Sequence, residues 1–331
     1  MLRRYPFLLA IVIAATSGVV SADVNDLGVY ADTAGPYKVD IVRYDWVDSL
    51  RNRSVPVKIY YPADCNAPCP LIVFSHGLGG SRENYEYLGR RWASWGYVSV
   101  HVQHKGSDDE VWKNAGPAGE MAALKKASAD PANSVDRPKD INFAIDQMEK
   151  LNKASGLFKG RLDLDHIGVA GHSFGAYTTL AVAGQVVGGR LFQKSFADPR
   201  VKAAIAMSAP VFRRQPPDKA YGKIKIPVMH MTGTLDDSPI GETSAKERRL
   251  PFDYIKAGDQ YLVTFNGGDH AIFSGRARQN NIKDERFHSL ILASTAAFWD
   301  AYLKDEPKAK IWLKGSGIRK LMGQDATVEM K

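Results

Sequence analysis

Cysteine is nearly absent from this chain: Cys65 and Cys69 are the two examples among 331 residues. That scarcity excludes a fold built on a disulfide framework, and a zinc site built on cysteine pairs would need more ligands than one short loop offers. Beyond the first 22 residues there is also no long apolar run, so no later segment has the roughly 20 apolar residues that a membrane-spanning helix needs. A block of one charge sign is missing too. The formal charge is +8, but 44 Lys and Arg residues are scattered among 36 Asp and Glu, with no basic run and no aromatic-basic ladder. Nucleic acid is therefore not an expected partner. No Gly-rich loop ending in Lys-Ser or Lys-Thr occurs, and no dinucleotide fingerprint follows an early strand, so no nucleotide cofactor is expected. Internal repeats and low-complexity tracts are absent as well.

What is present begins with an export pattern. Arg3 and Arg4 precede an apolar run at 7–15 and a small-residue site at Val20-Ser21-Ala22, which reads as a secretory signal peptide at 1–22 with the mature chain starting at Asp23. An uncleaved anchor is the weaker reading, because the apolar core is short and Ser17 and Gly18 interrupt it. Export to the periplasm or beyond places Cys65 and Cys69, four apart in one loop, in an oxidising compartment, so a small-loop disulfide between them is expected. Its contribution to stability would be modest, since so short a loop restricts little unfolded-chain entropy.

From residue 23 on, short apolar runs alternate with amphipathic stretches. The runs at 55–61, 71–75, 97–102, 166–170, 201–207, 226–231 and 260–265 predict strands. The stretches at 83–95, 135–152, 174–186 and 285–303 predict helices, and in the second Ile141, Ala144, Ile145, Met148 and Leu151 mark one buried face. Such alternation predicts an α/β fold, with a mostly parallel central sheet and helices on both faces. The run at 37–47, joined to 55–61 by a short polar segment, predicts an antiparallel hairpin at its edge. One domain over 23–331 is expected. Two polar segments carrying Gly and Pro, 105–133 and 209–223, follow strands on the side where open α/β sheets bind ligands. They are candidates to shape a pocket or a lid, with plain solvated connection as the equal alternative. In the second, Arg213 and Arg214 are expected on the surface, with contact to an anionic substrate as the minor reading.

The most informative stretch is Gly171-His172-Ser173-Phe174-Gly175, which follows the apolar run Ile167-Gly168-Val169-Ala170 and opens a helical pattern. A sharp turn between strand and helix lifts a serine Oγ clear of the sheet and tolerates only small residues beside it. The free N–H groups and positive end of the helix then face any anion forming above Oγ. Ser173 is therefore the candidate nucleophile.

Acyl transfer by serine also needs a base, an acid that orients the base, and donors for the oxyanion. Ser75-His76-Gly77-Leu78-Gly79-Gly80 follows a strand and precedes a helix, the position of an oxyanion loop, and the backbone N–H groups of Leu78 and Phe174 are the candidate donors. Asp236 and Asp237 follow the strand at 226–231. Neighbours in extended chain point opposite ways, so Asp236 is preferred as the acid and Asp237 as a cap for the next turn. Gly268-Asp269-His270 follows the last strand, and His270 is the candidate base, with His288 in a helical pattern as its rival. His101 and His104, three apart in extended chain, face apart, so no catalytic metal is expected; His104 is instead a candidate to line the pocket. His172 is expected to pack or hydrogen-bond within its turn.

On these motifs, with Asp136-Arg137-Pro138-Lys139-Asp140 ahead of a helix, the chain resembles a serine-dependent α/β-hydrolase of the predicted dienelactone hydrolase and platelet-activating-factor acetylhydrolase-like group. The resemblance implies the α/β-hydrolase fold, a triad of Ser173, Asp236 and His270, and hydrolysis of carboxylic esters without a cofactor. It implies short-chain acyl esters, small-molecule or lipid, as the substrate class. Dienelactone hydrolases proper use cysteine at the nucleophile position, so Ser173 argues against a lactone ring, and polyester-degrading hydrolases are similar in architecture. Two other functions remain compatible with the same residues: an acyltransferase that passes the acyl group to an alcohol, and a non-catalytic binding protein on the hydrolase fold.

Overall fold

The computed structural model describes Tyr30 and residues 33–113, 115–189, 193–213, 215–275 and 282–331. The expected signal peptide and Arg214 lie outside them. In chain order the elements are β1 (Val39–Asp48), β2 (Arg53–Pro62), β3 (Cys69–Ser75), α1 (Glu86–Ser94), β4 (Val98–Val102), α2 (Glu110–Lys113), α3 (Gly116–Ala129), α4 (Pro131–Lys153), β5 (Leu162–His172) and α5 (Phe174–Ala183). There follow β6 (Val187–Gly188), β7 (Gln193–Lys194), β8 (Val201–Met207), α6 (Pro217–Tyr221), β9 (Val228–Leu235), α7 (Leu250–Tyr254), β10 (Gln260–Asp269), α8 (Ile282–Leu303), α9 (Pro307–Lys314), α10 (Gly317–Met322) and β11 (Ala326–Met330).

Nine strands form one sheet in the order β1-β2-β4-β3-β5-β8-β9-β10-β11. From β4 through β10 every neighbouring pair is parallel, while β1 with β2, β2 with β4, and β10 with β11 are antiparallel. Strand alternation sorts side chains onto two apolar layers. Ile72 and Phe74 of β3, with Ile205 and Met207 of β8, face a core closed by Leu88 and Trp92 of α1 and by Leu290, Phe298 and Trp299 of α8. Leu71 and Val73, with Ala204 and Ala206, face the opposite core, closed by Ile141, Ala144, Ile145 and Met148 of α4 and by Ala176 and Leu180 of α5. This is the α/β-hydrolase fold, with the antiparallel hairpin β1-β2 at one edge.

Local chemistry explains several boundaries. The side chain of Asp130 caps α4 by accepting the Ala132 N–H at 2.9 Å, with Pro131 at the first helical position, so the helix starts four residues before the expected 135. α5 stops at Ala183, short of the expected 186, because Gly184 takes φ +123° and breaks the ladder. β11 was not anticipated: its five residues alternate half-buried and exposed positions at the far edge of the sheet, too short a pattern to stand out. The polar segment 105–133, a candidate pocket wall or plain connection, holds α2 and α3; the Ala and Lys content of α3 favours helix although its apolar residues do not line one face. No helix among the described residues is long and apolar enough to cross a membrane.

The expected disulfide is not formed. Cys65 and Cys69 are free thiols with sulfurs 3.3 Å apart, against about 2.05 Å for a covalent bond. Both thiols lie on the Ala67 carbonyl, at 3.5 and 3.4 Å, so hydrogen bonds to one peptide oxygen close the loop in place of a bridge.

Candidate active site

The four sequence motifs converge beyond the carboxyl ends of β3, β5, β9 and β10, where a doubly covered parallel sheet leaves its crevice. Ser173 sits between β5 and α5 with φ 56° and ψ −119°, a conformation that costs a non-glycine residue on the order of 1–3 kcal/mol. Its amide donates to the Met207 carbonyl at 2.9 Å and its carbonyl accepts from Ala176, which pins the turn to β8 and to the helix. The flanking glycines are sterically required. A Cβ on Gly175 would overlap the Ser75 carbonyl oxygen, and one on Gly171 would overlap the Gly175 carbonyl. Ser173 is half-buried, and its Oγ has no hydrogen-bond partner among the described residues.

Asp236, directly after β9, is fully buried, and every neighbour of its carboxylate is a donor. Oδ1 lies 2.8 Å from His270 Nδ1 and 3.0 Å from Arg248 Nε; Oδ2 accepts from Thr232 Oγ1 at 2.8 Å and from Ser208 Oγ. A carboxylate on Nδ1 requires that nitrogen to carry the proton, which leaves Nε2 of His270 as the acceptor. His270 in turn lies against His172, ring centroids 4.7 Å apart, one residue from Ser173. Asp237 points the other way: it is exposed and accepts the Ala245 N–H at 2.8 Å, at the start of the 3₁₀ turn Ala245–Arg249.

Sequence reasoning missed the residues that hold this carboxylate. Ser208 follows β8 with φ 54°, turning its hydroxyl toward Asp236. Arg248 sits in a run of charged residues that reads as surface, yet it is buried, and it ties the site together by donating to the Asp236 and Ser208 carbonyls at 2.7 and 2.6 Å. The only available signal was its place beside the capping box of Ser244 and Glu247, which fixes that turn over the loop after β9.

Four amides of the loop after β3 are committed. Gly77 N–H donates to Tyr85 Oη at 3.3 Å, Gly79 N–H to the Ser107 carbonyl at 2.9 Å, Gly80 N–H to the Gly77 carbonyl at 3.1 Å and Ser81 N–H to Asn84 at 2.7 Å. Leu78 N–H has no partner among the described residues, nor has Phe174 N–H at the start of α5. The segment 105–133 buttresses this loop. Trp112 Nε1 donates to the Gly79 carbonyl at 2.8 Å, and Leu124 packs so close to Gly79 that a Cβ there would collide with it.

Other expectations resolve as follows. His104 does not line a pocket: it is fully buried, bonded to Ser75 Oγ at 2.9 Å and to Asp140 at 3.0 Å, because the chain after β4 turns inward behind the loop that follows β3. His172 bonds Tyr85 Oη at 2.8 Å, and burial, then the neighbouring His270 and Arg248, holds its pKa well below the usual imidazole range. His288 of α8 packs against Tyr87. Arg213 is exposed and paired with Glu242 and Glu247. The segment 209–223 helps enclose a cavity of about 210 Å³ along α5, bounded by Pro131, Tyr177, Val186, Phe196, Phe212 and Gln215.

Comparison with known proteins accords with this geometry. Residues 49–111 match the family model described as Platelet-activating factor acetylhydrolase, isoform II, and residues 133–268 match the model described as Serine hydrolase (FSH1). The first match contains Leu78, the second Ser173 and Asp236. The chain is thus similar to platelet-activating factor acetylhydrolases over one segment and to serine hydrolases over another. It is 27% identical over 159 residues to the platelet-activating factor acetylhydrolase of Cavia porcellus, covering 38% of this chain and 34% of that one. The Canis lupus familiaris enzyme of the same name is 24% identical over 250 residues, covering 64% and 51%. Cutinase 2 of Thermobifida cellulosilytica is 25% identical over 178 residues, covering 54% and 52%. The chain thus spans between a third and about half the length of these relatives.

Proposed function

We propose that this protein is an exported serine hydrolase that cleaves carboxylic esters, short acyl groups foremost, through an acyl-enzyme on Ser173. The observation that carries the reading is the buried Asp236–His270 pair, 2.8 Å between carboxylate and Nδ1, set beside a strained serine turn. In this mechanism Ser173 Oγ attacks the ester carbonyl while His270 Nε2 takes its proton. Asp236 holds the reactive tautomer and stabilises the imidazolium. The uncommitted N–H groups of Leu78 and Phe174 receive the oxyanion, each worth on the order of 10²–10³ in rate. His270 then protonates the departing alcohol, and the same nitrogen activates the water that clears the acyl-enzyme. Hydrogen bonds of this kind tighten in the substrate complex, in keeping with a Ser173 hydroxyl that has no partner before substrate arrives. The names of the relatives, acetylhydrolase and cutinase, support ester chemistry. The N-terminal Arg3-Arg4 and apolar run support export.

The test is hydrolysis of p-nitrophenyl esters from acetate to dodecanoate by the wild type and by Ser173→Ala, with fluorophosphonate labelling mapped by peptide mass. The expected result is turnover highest for the short esters, label on Ser173, and a loss of at least about 10⁴-fold in the variant with the fold intact. Retained turnover in Ser173→Ala removes the reading, and acyl transfer to an added alcohol in preference to water makes the enzyme an acyltransferase.

A further inference from the structure

Arg137, on α4, is wholly buried beneath the oxyanion loop. Nη2 donates to the His76 carbonyl and to Ser75 Oγ (3.0 Å), Nη1 to Ser107 Oγ (2.9 Å) and Nε to Thr178 Oγ1 (3.0 Å), while the guanidinium carbon lies 4.6 Å over the Phe174 ring. None of these partners is a carboxylate. The nearest acid in the network is Asp140, reached through two side chains, and the proton order along that path is determined. The Asp140 carboxylate, held by two arginines, accepts His104 Nδ1–H, so Nε2 of the neutral imidazole accepts from the Ser75 hydroxyl, which itself accepts from Arg137. Asp140 is itself engaged by Arg51 and Arg53, each at 2.8 Å.

A buried cation with no carboxylate against it is costly, and the packing face of α4 is already supplied by Ile141, Ala144, Ile145 and Met148. What the guanidinium touches is both halves of the candidate oxyanion hole. The His76 carbonyl begins the loop that carries Leu78 N–H. Thr178 Oγ1 donates to the Phe174 carbonyl at 3.0 Å, and Phe174 carries the other amide. Ser107, the third partner, accepts from Gly79 through its own carbonyl.

We propose that Arg137 is the positioning residue of the oxyanion hole: its fork fixes the Leu78 and Phe174 amides relative to each other, and its charge, held behind the loop in a low-dielectric site, favours the tetrahedral oxyanion over the ground state. This rests on the ester-hydrolase reading above. A guanidinium suits the role because it stays charged when buried and its planar donors span three elements at once.

The experiment compares Arg137→Met, Arg137→Lys and Thr178→Val with the wild type on p-nitrophenyl acetate. Active sites are counted by fluorophosphonate stoichiometry at completion, and affinity is measured for an aryl trifluoromethyl ketone, whose hemiketal oxyanion occupies the hole. The Met variant is expected to lose about 10²–10³-fold in kcat with KM within about threefold, and to bind the ketone more weakly by the factor lost in kcat/KM. The Lys variant, with the charge but not the fork, is expected to fall between, and Thr178→Val to lose about tenfold in kcat alone. If Arg137→Met does not fold, the other two variants decide. Folded variants with wild-type kcat and ketone affinity, differing only in thermal stability, overturn the proposal and make Arg137 structural. The Ser173→Ala control separates the two readings: if it is inactive while the Arg137 variants behave as wild type, only this inference fails.

Discussion

Replacing Asp236 by Asn tests the polar core of the site with a single-atom change. The carboxylate stands among four donors: Ser208 Oγ and Thr232 Oγ1 on one oxygen, Arg248 Nε and His270 Nδ1–H on the other. An amide offers one acceptor oxygen. Placed toward Ser208 and Thr232, it leaves the NH₂ group facing Arg248 and the imidazole N–H. The imidazole can relieve that clash by moving its proton to Nε2, the nitrogen that must accept from Ser173. A base locked in the wrong tautomer costs about 10⁴ in kcat, as the Asp-to-Asn change does in the chymotrypsin triad, or about 5.5 kcal/mol at 1.36 kcal/mol per tenfold. The substitution also strips the buried Arg248 of its carboxylate, and breaking one half of a buried ion pair costs about 3–5 kcal/mol of fold stability. The carbonyls of Asp236 and Ser208 still bind that guanidinium, so the lower end of this range is expected. Steady-state hydrolysis of p-nitrophenyl acetate gives the rate, and urea unfolding gives the stability. Asp237→Asn is the internal control: its partner is the Ala245 N–H at the surface, which the amide oxygen still accepts, and less than threefold change is expected. A folded Asp236→Asn enzyme that loses less than tenfold, or an Asp237→Asn enzyme hit equally hard, refutes the reasoning.

The fold should weaken on acidification before its carboxylates titrate. Burial holds His76, His104 and His172 well below the usual imidazole pKa, His101 at about 3 and His230 at about 4. Each is neutral in the native protein but protonates near 6.5 when unfolded, so its stabilisation is complete above that pH and is lost as pH falls toward the native value. The slope is up to about 1.4 kcal/mol per pH unit for each imidazole, and a urea midpoint unchanged between pH 7.5 and 5 would contradict it. Burial and then the adjacent Cys65 push the Cys69 thiol up to about 12, so little of that thiol is thiolate natively. Native protein should react slowly with an aromatic disulfide reagent and yield two equivalents once denatured; none in denaturant without reductant would mean a covalent bridge.

Sequence by itself determined what depends on neighbours along the chain. Apolar alternation set the parallel sheet and its two helical layers, and the paired runs before residue 62 set the edge hairpin, because strand and helix periods are local properties. The serine turn was legible because its constraint lies within five residues: two glycines must sit where any Cβ would strike backbone. Tertiary structure alone decided the rest. Asp236 and Asp237 are adjacent and chemically alike, and what separates them is a cage of donors drawn from positions 208, 232, 248 and 270. Arg248 and Arg137 look like ordinary charges in their own helical or polar contexts, and only folding shows them stripped of water. Burial, and the hydrogen bonds that make it tolerable, are properties of many distant segments at once, and no window of sequence contains them.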